Sequence, residues 1–156
     1  MLPMKQLNLI SRDIIGCAIK VHRTLGPGLL ESVYVDALCI ELEMARIRYE
    51  RGTEVPIVYA GRSLSAPLKL DLLVANEVIV EAKAVQELNP VHEAQLLTYL
   101  RLTAKTLGLL INFNTVLLKE GIRRKILNPP STSAPLGVLS DSVVKSCSVT
   151  DSETKK

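Results

Sequence analysis

The sequence is poor in aromatic side chains, with no tryptophan, one phenylalanine and four tyrosines, 3% of its 156 residues. A core must therefore be built from leucine, isoleucine, valine and alanine. The scarcity also argues against a base-stacking platform, the usual device for gripping single strands without reading sequence. Cysteine is equally thin. Cys17, Cys39 and Cys147 are far apart, with neither the close pair of a zinc site nor the even count of a disulfide framework. Reduced thiols in a cytosolic protein are the expected state. Charge of one sign is scarce too: the net charge of +3 tolerates a polyanionic partner without announcing one. No apolar run reaches the length of a membrane span, and the leading MLPMKQLN lacks a signal-peptide apolar region. A soluble, cytoplasmic protein with no membrane partner is expected.

What is present fits one domain, with 47% hydrophobic and 22% charged residues. Leu7, Ile10, Ile14, Ala18, Val21 and Leu25 recur at helical spacing, and Gly26-Pro27-Gly28 stops that helix. A second helix over 30–46 carries Leu30, Val33, Ala37, Leu38 and Leu42 along its apolar side. Three β-like runs follow, 53–59, 68–74 and 78–83, punctuated by Ala60-Gly61 and Ala75-Asn76; they read as an antiparallel meander. Asn89 and Pro90 start a helix that ends near Thr103. LGLLINF, 107–113, is a continuous apolar run typical of a strand covered on both faces. Residues 116–118 and 122–127 read as a closing hairpin around Glu120-Gly121. The order implies an α/β fold with a mixed central sheet flanked by helices. Residues 129–156, rich in serine and threonine, read as a disordered tail beyond a domain of residues 1–128.

The segment LDLLVANEVIVEAKA, 70–84, carries charge where its flanks look like core. Residues two apart on a strand share a face, so Glu81 and Lys83 project together. With Asn76 at the centre of the hairpin loop, Asp71 lies directly across from Glu81. Facing Cβ atoms on such a ladder are roughly 4.5–5.5 Å apart. Two carboxylates that close repel unless something positive stands between them. Lys83 brings one charge; a divalent cation brings two. Magnesium suits the site, since it takes oxygen ligands, needs only one or two carboxylates and keeps several waters. Two carboxylates, a lysine and a metal are the parts for phosphodiester hydrolysis. The same spacing also fits a solvated strand face with an Asp71–Lys83 surface ion pair.

Two more constellations join these. His92, Gln95 and Tyr99 form a polar stripe on the helix after Pro90, opposite its leucines. Glu31 and Tyr34 share a face at the start of the second helix. Both helices would pack beside the strands that carry the charges.

These motifs resemble the GxxExxY proteins. GPGLLESVY supplies Gly28, Glu31 and Tyr34; then follow DLLV with Asp71, VIVEAKAV with Glu81 and Lys83, and PVHEAQLLTYL with Gln95 and Tyr99. LGLLINF and GIRRKI complete the likeness, which runs from about Leu7 to Leu127. That family is placed among the PD-(D/E)XK nuclease-like proteins, so the resemblance implies a restriction-endonuclease-like αβββαβ core. It implies Asp71 and Glu81 as metal ligands, Lys83 as the catalytic lysine and Glu31 as an acid supporting the metal or the water. It further implies that Gln95 and Tyr99, with Tyr34, position the substrate. The cofactor would be Mg2+, with Mn2+ as a substitute, and the partner nucleic acid, DNA ahead of RNA. Leu70 stands where the superfamily's name has proline, and Ala82 is smaller than the branched residue expected between Glu and Lys.

A metal-dependent nuclease is therefore the leading expectation. A non-catalytic nucleic-acid-binding or regulatory module on the same fold is the alternative, using basic groups at Arg46, Arg48 and Arg51 or at Arg123, Arg124 and Lys125. A small domain with one site would pair as a homodimer to cut both strands of a duplex, although no segment reads as an interface.

Overall fold

A computed structural model describes residues 1–128; the serine- and threonine-rich tail and Cys147 lie outside the described residues. Helix α1 (Met4–Leu25) buries Leu7, Ile14, Ala18 and Val21 of the stripe that the helical spacing predicts, with Ile10 half-buried and Leu25 exposed. Gly26 and Gly28 then take φ of 68° and 100°, a left-handed region open to residues without a Cβ, and the chain reverses. Helix α2 (Glu31–Met44) follows, burying Tyr34, Val35, Leu38 and Leu42, while Leu30 and Val33, expected on its apolar side, are exposed.

Seven short strands come next: β1 (Tyr49–Arg51), β2 (Glu54–Val55), β3 (Val58–Tyr59), β4 (Arg62–Ser63), β5 (Leu68–Lys69), β6 (Leu72–Val74) and β7 (Val78–Lys83). Helix α3 (Pro90–Thr103), β8 (Leu107–Asn112), a 3-10 turn (Leu118–Gly121) and β9 (Ile122–Ile126) complete the described chain. Among the described residues the central sheet has five strands in the order β1-β6-β7-β8-β9. Neighbours are antiparallel except β7 and β8, which α3 joins as a parallel crossover. This is the mixed, restriction-endonuclease-like arrangement expected from the sequence.

Two expectations about the strands are corrected. The run 53–59 is not one strand of the meander; Tyr49–Arg51 takes that place beside β6. Gly52, at φ 65°, turns the chain after β1, and Pro56, with no N–H to give a ladder, separates β2 from β3. The pieces form two small ladders outside the central sheet, β2 with β5 and β3 with β4. Nor do 116–118 and 122–127 form a hairpin. Val116 and Leu117 are exposed and Leu118 is buried within the 3-10 turn, while β9 pairs with β8 instead.

Side-chain alternation sorts the sheet into two packed faces. Leu72, Val74, Val78, Val80, Ala82, Leu109 and Ile111 pack in one cluster with α1 and α2. Leu73, Ile79 and Leu110 pack in another with Leu96, Tyr99 and Leu100 of α3. Helix α3 sits close: a Cβ on Gly108 would stand 2.7 Å from Leu96 Cδ1. With so few aromatic residues, one pair matters. Tyr34 and Phe113 stack with centroids 4.6 Å apart and planes 7° from parallel, joining α2 to the end of β8. No helix among the described residues is long and apolar enough to cross a membrane.

Candidate active site

The alternation that sends Val78, Val80 and Ala82 towards α1 and α2 sends Ile79, Glu81 and Lys83 to the side of α3. The turn between β6 and β7 fixes what faces them. Ala75 and Asn76 both adopt left-handed φ, 53° and 58°, and the register Leu72↔Val80 places Asp71 opposite Glu81 one step further on. There the acids interlock through the backbone. The Asp71 N–H donates to Glu81 Oε1 at 3.1 Å, and Asp71 Oδ2 accepts from the Ala82 N–H at 2.9 Å. Each carboxylate spends one oxygen this way. The other oxygen of each forms no hydrogen bond among the described residues, and no buried side-chain oxygen there is left unpaired.

Glu81 is 3% exposed, which makes its charge costly. Burial, then the facing charge of Asp71, pushes its pKa up to about 8; the Asp71 N–H and Lys83 offset this only in part. Acid groups are thus gathered at one point of the sheet, and Glu81 keeps its proton through neutral pH in the free protein. Glu31, the first residue of α2, belongs to the same field. Burial raises its pKa, Lys83 and His92 pull it down, and Asp71 pushes it further up. Glu31 and Asp71 line one cavity of about 280 Å³.

Helix α3 brings the remaining polar groups. Asn89 Oδ1 accepts from the N–H groups of Val91 and His92, and the Asn89 N–H donates to His92 Nδ1, a capping box that fixes the helix start. Gln95 and Tyr99, one turn apart, are joined by a 2.7 Å bond from Gln95 Nε2 to Tyr99 Oη. Tyr99 is buried, and burial with the charge of Glu81 raises its pKa, so its hydroxyl keeps its proton.

Among the described residues, no three His, Cys, Asp or Glu side chains close around one point. The donor set that does form is a pair of carboxylates, each with an oxygen to spare and short of positive charge. A hard divalent cation that accepts two protein oxygens and retains water fits that set, and a zinc-type cage does not.

The sequence model of the PD-(D/E)XK nuclease superfamily matches residues 8–125, more than half of the chain. The chain belongs to that superfamily. No curated protein matches. The crystal structure of SSO0001 is similar at 21% identity, covering 76% of this chain and 62% of that one, with a TM-score of 0.39. The chain therefore spans less than two-thirds of that structure's length.

In this PD-(D/E)XK chain the structure assembles Asp71, Glu81, Lys83 and Glu31 within one electrostatic field, with Gln95 and Tyr99 on the adjoining helix. Ala82, the small residue between Glu81 and Lys83, faces the α1–α2 core as the alternation requires. Tyr34 stands apart from the others. Its side chain is fully buried; its hydroxyl donates to Gly26 O at 2.5 Å and accepts from the Leu29 N–H at 3.1 Å. It has no surface to offer a substrate, and it holds the loop that delivers Glu31.

Asn112 was missed by sequence reasoning. It is 2% exposed at the end of β8, beside Lys83 in the parallel register. Its Nδ2 donates to Val85 O at 2.8 Å, and its Oδ1 accepts from the N–H groups of Val85 and Asn114. These bonds clamp the chain leaving β7, while the Phe113 N–H holds Lys83 O at 2.9 Å. An asparagine inside LGLLINF was the available signal, because a buried amide needs such partners.

The basic groups are less free than their spacing implied. Lys125 and Arg123 both reach Glu93, Arg124 bonds Asn8, and Arg51 pairs with Asp36. A larger hollow of about 850 Å³ lies by Arg46, Arg48 and Asn76 at the turn end of β6, and none of the acid–lysine set lines it.

Proposed function

We propose that this protein is a metal-dependent nuclease of the GxxExxY type, hydrolysing phosphodiester bonds of nucleic acid, DNA ahead of RNA. The interlocked pair Asp71–Glu81 carries the proposal: two facing acids, each with one oxygen bound across the ladder and one to spare. Asp71 and Glu81 would hold Mg2+, or Mn2+ in its place, which supplies the positive charge that the pair lacks and polarises a phosphoryl oxygen.

The protein's own groups do the rest. Lys83 projects on the face of Glu81, where its ammonium can neutralise charge that develops on the phosphate or hold the attacking water. Glu31, its proton affinity raised by burial and by Asp71, is suited to orient that water by accepting its hydrogen bond. Gln95 retains its carbonyl and one N–H beyond the bond to Tyr99, and would fix the strand against α3. Burial on both faces of β7 and β8 holds the backbone that carries Glu81 and Lys83.

The test is calorimetric titration of Mg2+ and Mn2+, paired with cleavage assays, on wild type, Asp71→Asn and Lys83→Ala. Asp71→Asn should lose metal binding and cleavage together. Lys83→Ala should keep metal binding and lose cleavage by about 10²-fold or more. Cleavage that survives either substitution removes this site from consideration.

A further inference from the structure

Beside Asp71 the chain places a cation that the chemistry above leaves unused. Lys69 stands two residues before Asp71, and both line the 280 Å³ cavity with Glu31, Ser32, Arg51 and Gly52. The lining divides by charge. Glu31 and Asp71 belong to the site already described, whereas Lys69 and Arg51 bring positive charge and Ser32 an exposed hydroxyl. Arg51 is already committed, its guanidinium 2.5 Å from Asp36 Oδ1. Lys69 forms no ion pair among the described residues, although Glu54 faces it across the β2–β5 ladder.

The lysine stem lies across Gly52 instead. A Cβ built on Gly52 would stand 2.9 Å from Lys69 Cε and 3.8 Å from its Nζ. Gly52 also takes φ of 65°, strained for any residue with a side chain, and its N–H donates to Asp71 O at 3.2 Å. One glycine thus seats the lysine and anchors the backbone of the candidate metal ligand. The two are held in fixed relation on neighbouring stretches of chain.

We infer that Lys69, with Ser32, forms a subsite for the backbone phosphate adjacent to the one being cut. The inference rests on the nuclease reading and adds to it the path of the strand, which would run from Asp71 over Gly52 along the β2–β5 ladder. A point-charge contact of this kind anchors phosphate without reading a base. Lys69 is a binding residue here, and the reacting atoms remain with Asp71, Glu81 and Lys83.

The test uses fluorescence anisotropy of labelled single-stranded and duplex oligonucleotides in EDTA, across a salt series. Wild type, Lys69→Gln, Lys69→Arg and the control Lys5→Gln are compared, with cleavage kinetics measured in magnesium. Loss of one phosphate contact should make the log–log salt slope shallower by about 0.7 for a single strand or 0.9 for a duplex. Lys69→Gln should show that change and a raised KM at near-wild-type kcat; Lys69→Arg should restore the slope and Lys5→Gln leave it unchanged. An unchanged slope in Lys69→Gln, with oligonucleotide still bound, overturns the subsite and leaves the nuclease reading standing. A Lys69-dependent slope in a protein that cuts nothing in magnesium overturns the subsite as stated, since no phosphate is then cut beside it, and makes Lys69 a phosphate contact of a non-catalytic module. Wild type that binds no oligonucleotide overturns the subsite, and the nuclease reading falls with it if nothing is cut in magnesium either.

Discussion

Asp71 and Glu81 are cross-linked through each other's backbone: the amide of Asp71 binds the carboxylate of Glu81, and the carboxylate of Asp71 binds the amide beyond Glu81. The exchange takes the place of ordinary ladder bonds just before β6. It fixes both side chains through main-chain amides, so the two acids stay in place while one oxygen of each remains available. A buried acid such as Glu81 is costly in the free protein, and the pair is pre-organised for a cation.

The cost has a pH signature. Glu81 holds its proton up to about 8 in the folded chain and only to about 4.5 when exposed. Between those values the folded state binds the extra proton, so stability falls as pH rises and the loss is complete above about 8. The effect is on the order of a few kcal/mol, since every tenfold gain in proton affinity on folding is worth about 1.4 kcal/mol. Thermal melts in EDTA at pH 5.5 and 8.5 should show wild type losing stability relative to Glu81→Gln. A constant difference between the two proteins across that range would contradict the assignment.

Removing one oxygen from Tyr34 should loosen the loop that presents Glu31. Tyr34→Phe keeps the stack on Phe113 but leaves Gly26 O and the Leu29 N–H without their partner. A destabilisation of about 1–3 kcal/mol is expected from urea or thermal unfolding. Cleavage should slow while Mg2+ affinity holds, because Asp71 and Glu81 are untouched. A variant as stable as wild type would show that the hydroxyl is not holding the loop.

Asn112→Leu tests the clamp behind Lys83. The substitution removes three hydrogen bonds that tie Val85 and Asn114 to β8. Stability should fall by about 2–3 kcal/mol, since buried backbone groups lose their partners. Lys83 would also lose its fixed strand end, so kcat should fall further than that of Tyr34→Phe, again with metal binding retained. Wild-type kcat in a folded Asn112→Leu protein would show that Lys83 is positioned by other contacts.

Much of the candidate site was legible because a hairpin acts as a ruler. Once Asn76 is placed in the loop, alternation puts Asp71 across from Glu81 and turns Ala82 to the other face. Asn89-Pro90 was equally explicit, although His92 proved to be part of the cap as well as a neighbour of Glu31. The strand at Tyr49–Arg51 was not legible, because three residues carry too little periodicity to stand out and the β-rich run after Gly52 attracts the assignment. Tyr34 was misplaced for a different reason. Helical spacing gives a side chain's direction but not whether its hydroxyl meets solvent or a folded-back loop, and Gly26 lies eight residues away in sequence. Lys69 reads as one exposed charge among many in the sequence, and only the fold lays it across Gly52.

The measurement that bears most directly on the central claim is cleavage of single- and double-stranded DNA and RNA by wild type and Asp71→Ala. Each reaction would be run with magnesium, with manganese and with EDTA. The account predicts cutting that requires a divalent metal, disappears in EDTA and is lost in Asp71→Ala. Cutting that persists in EDTA or in Asp71→Ala, or a wild-type protein that neither cuts any of the four substrates nor binds either metal, would contradict it.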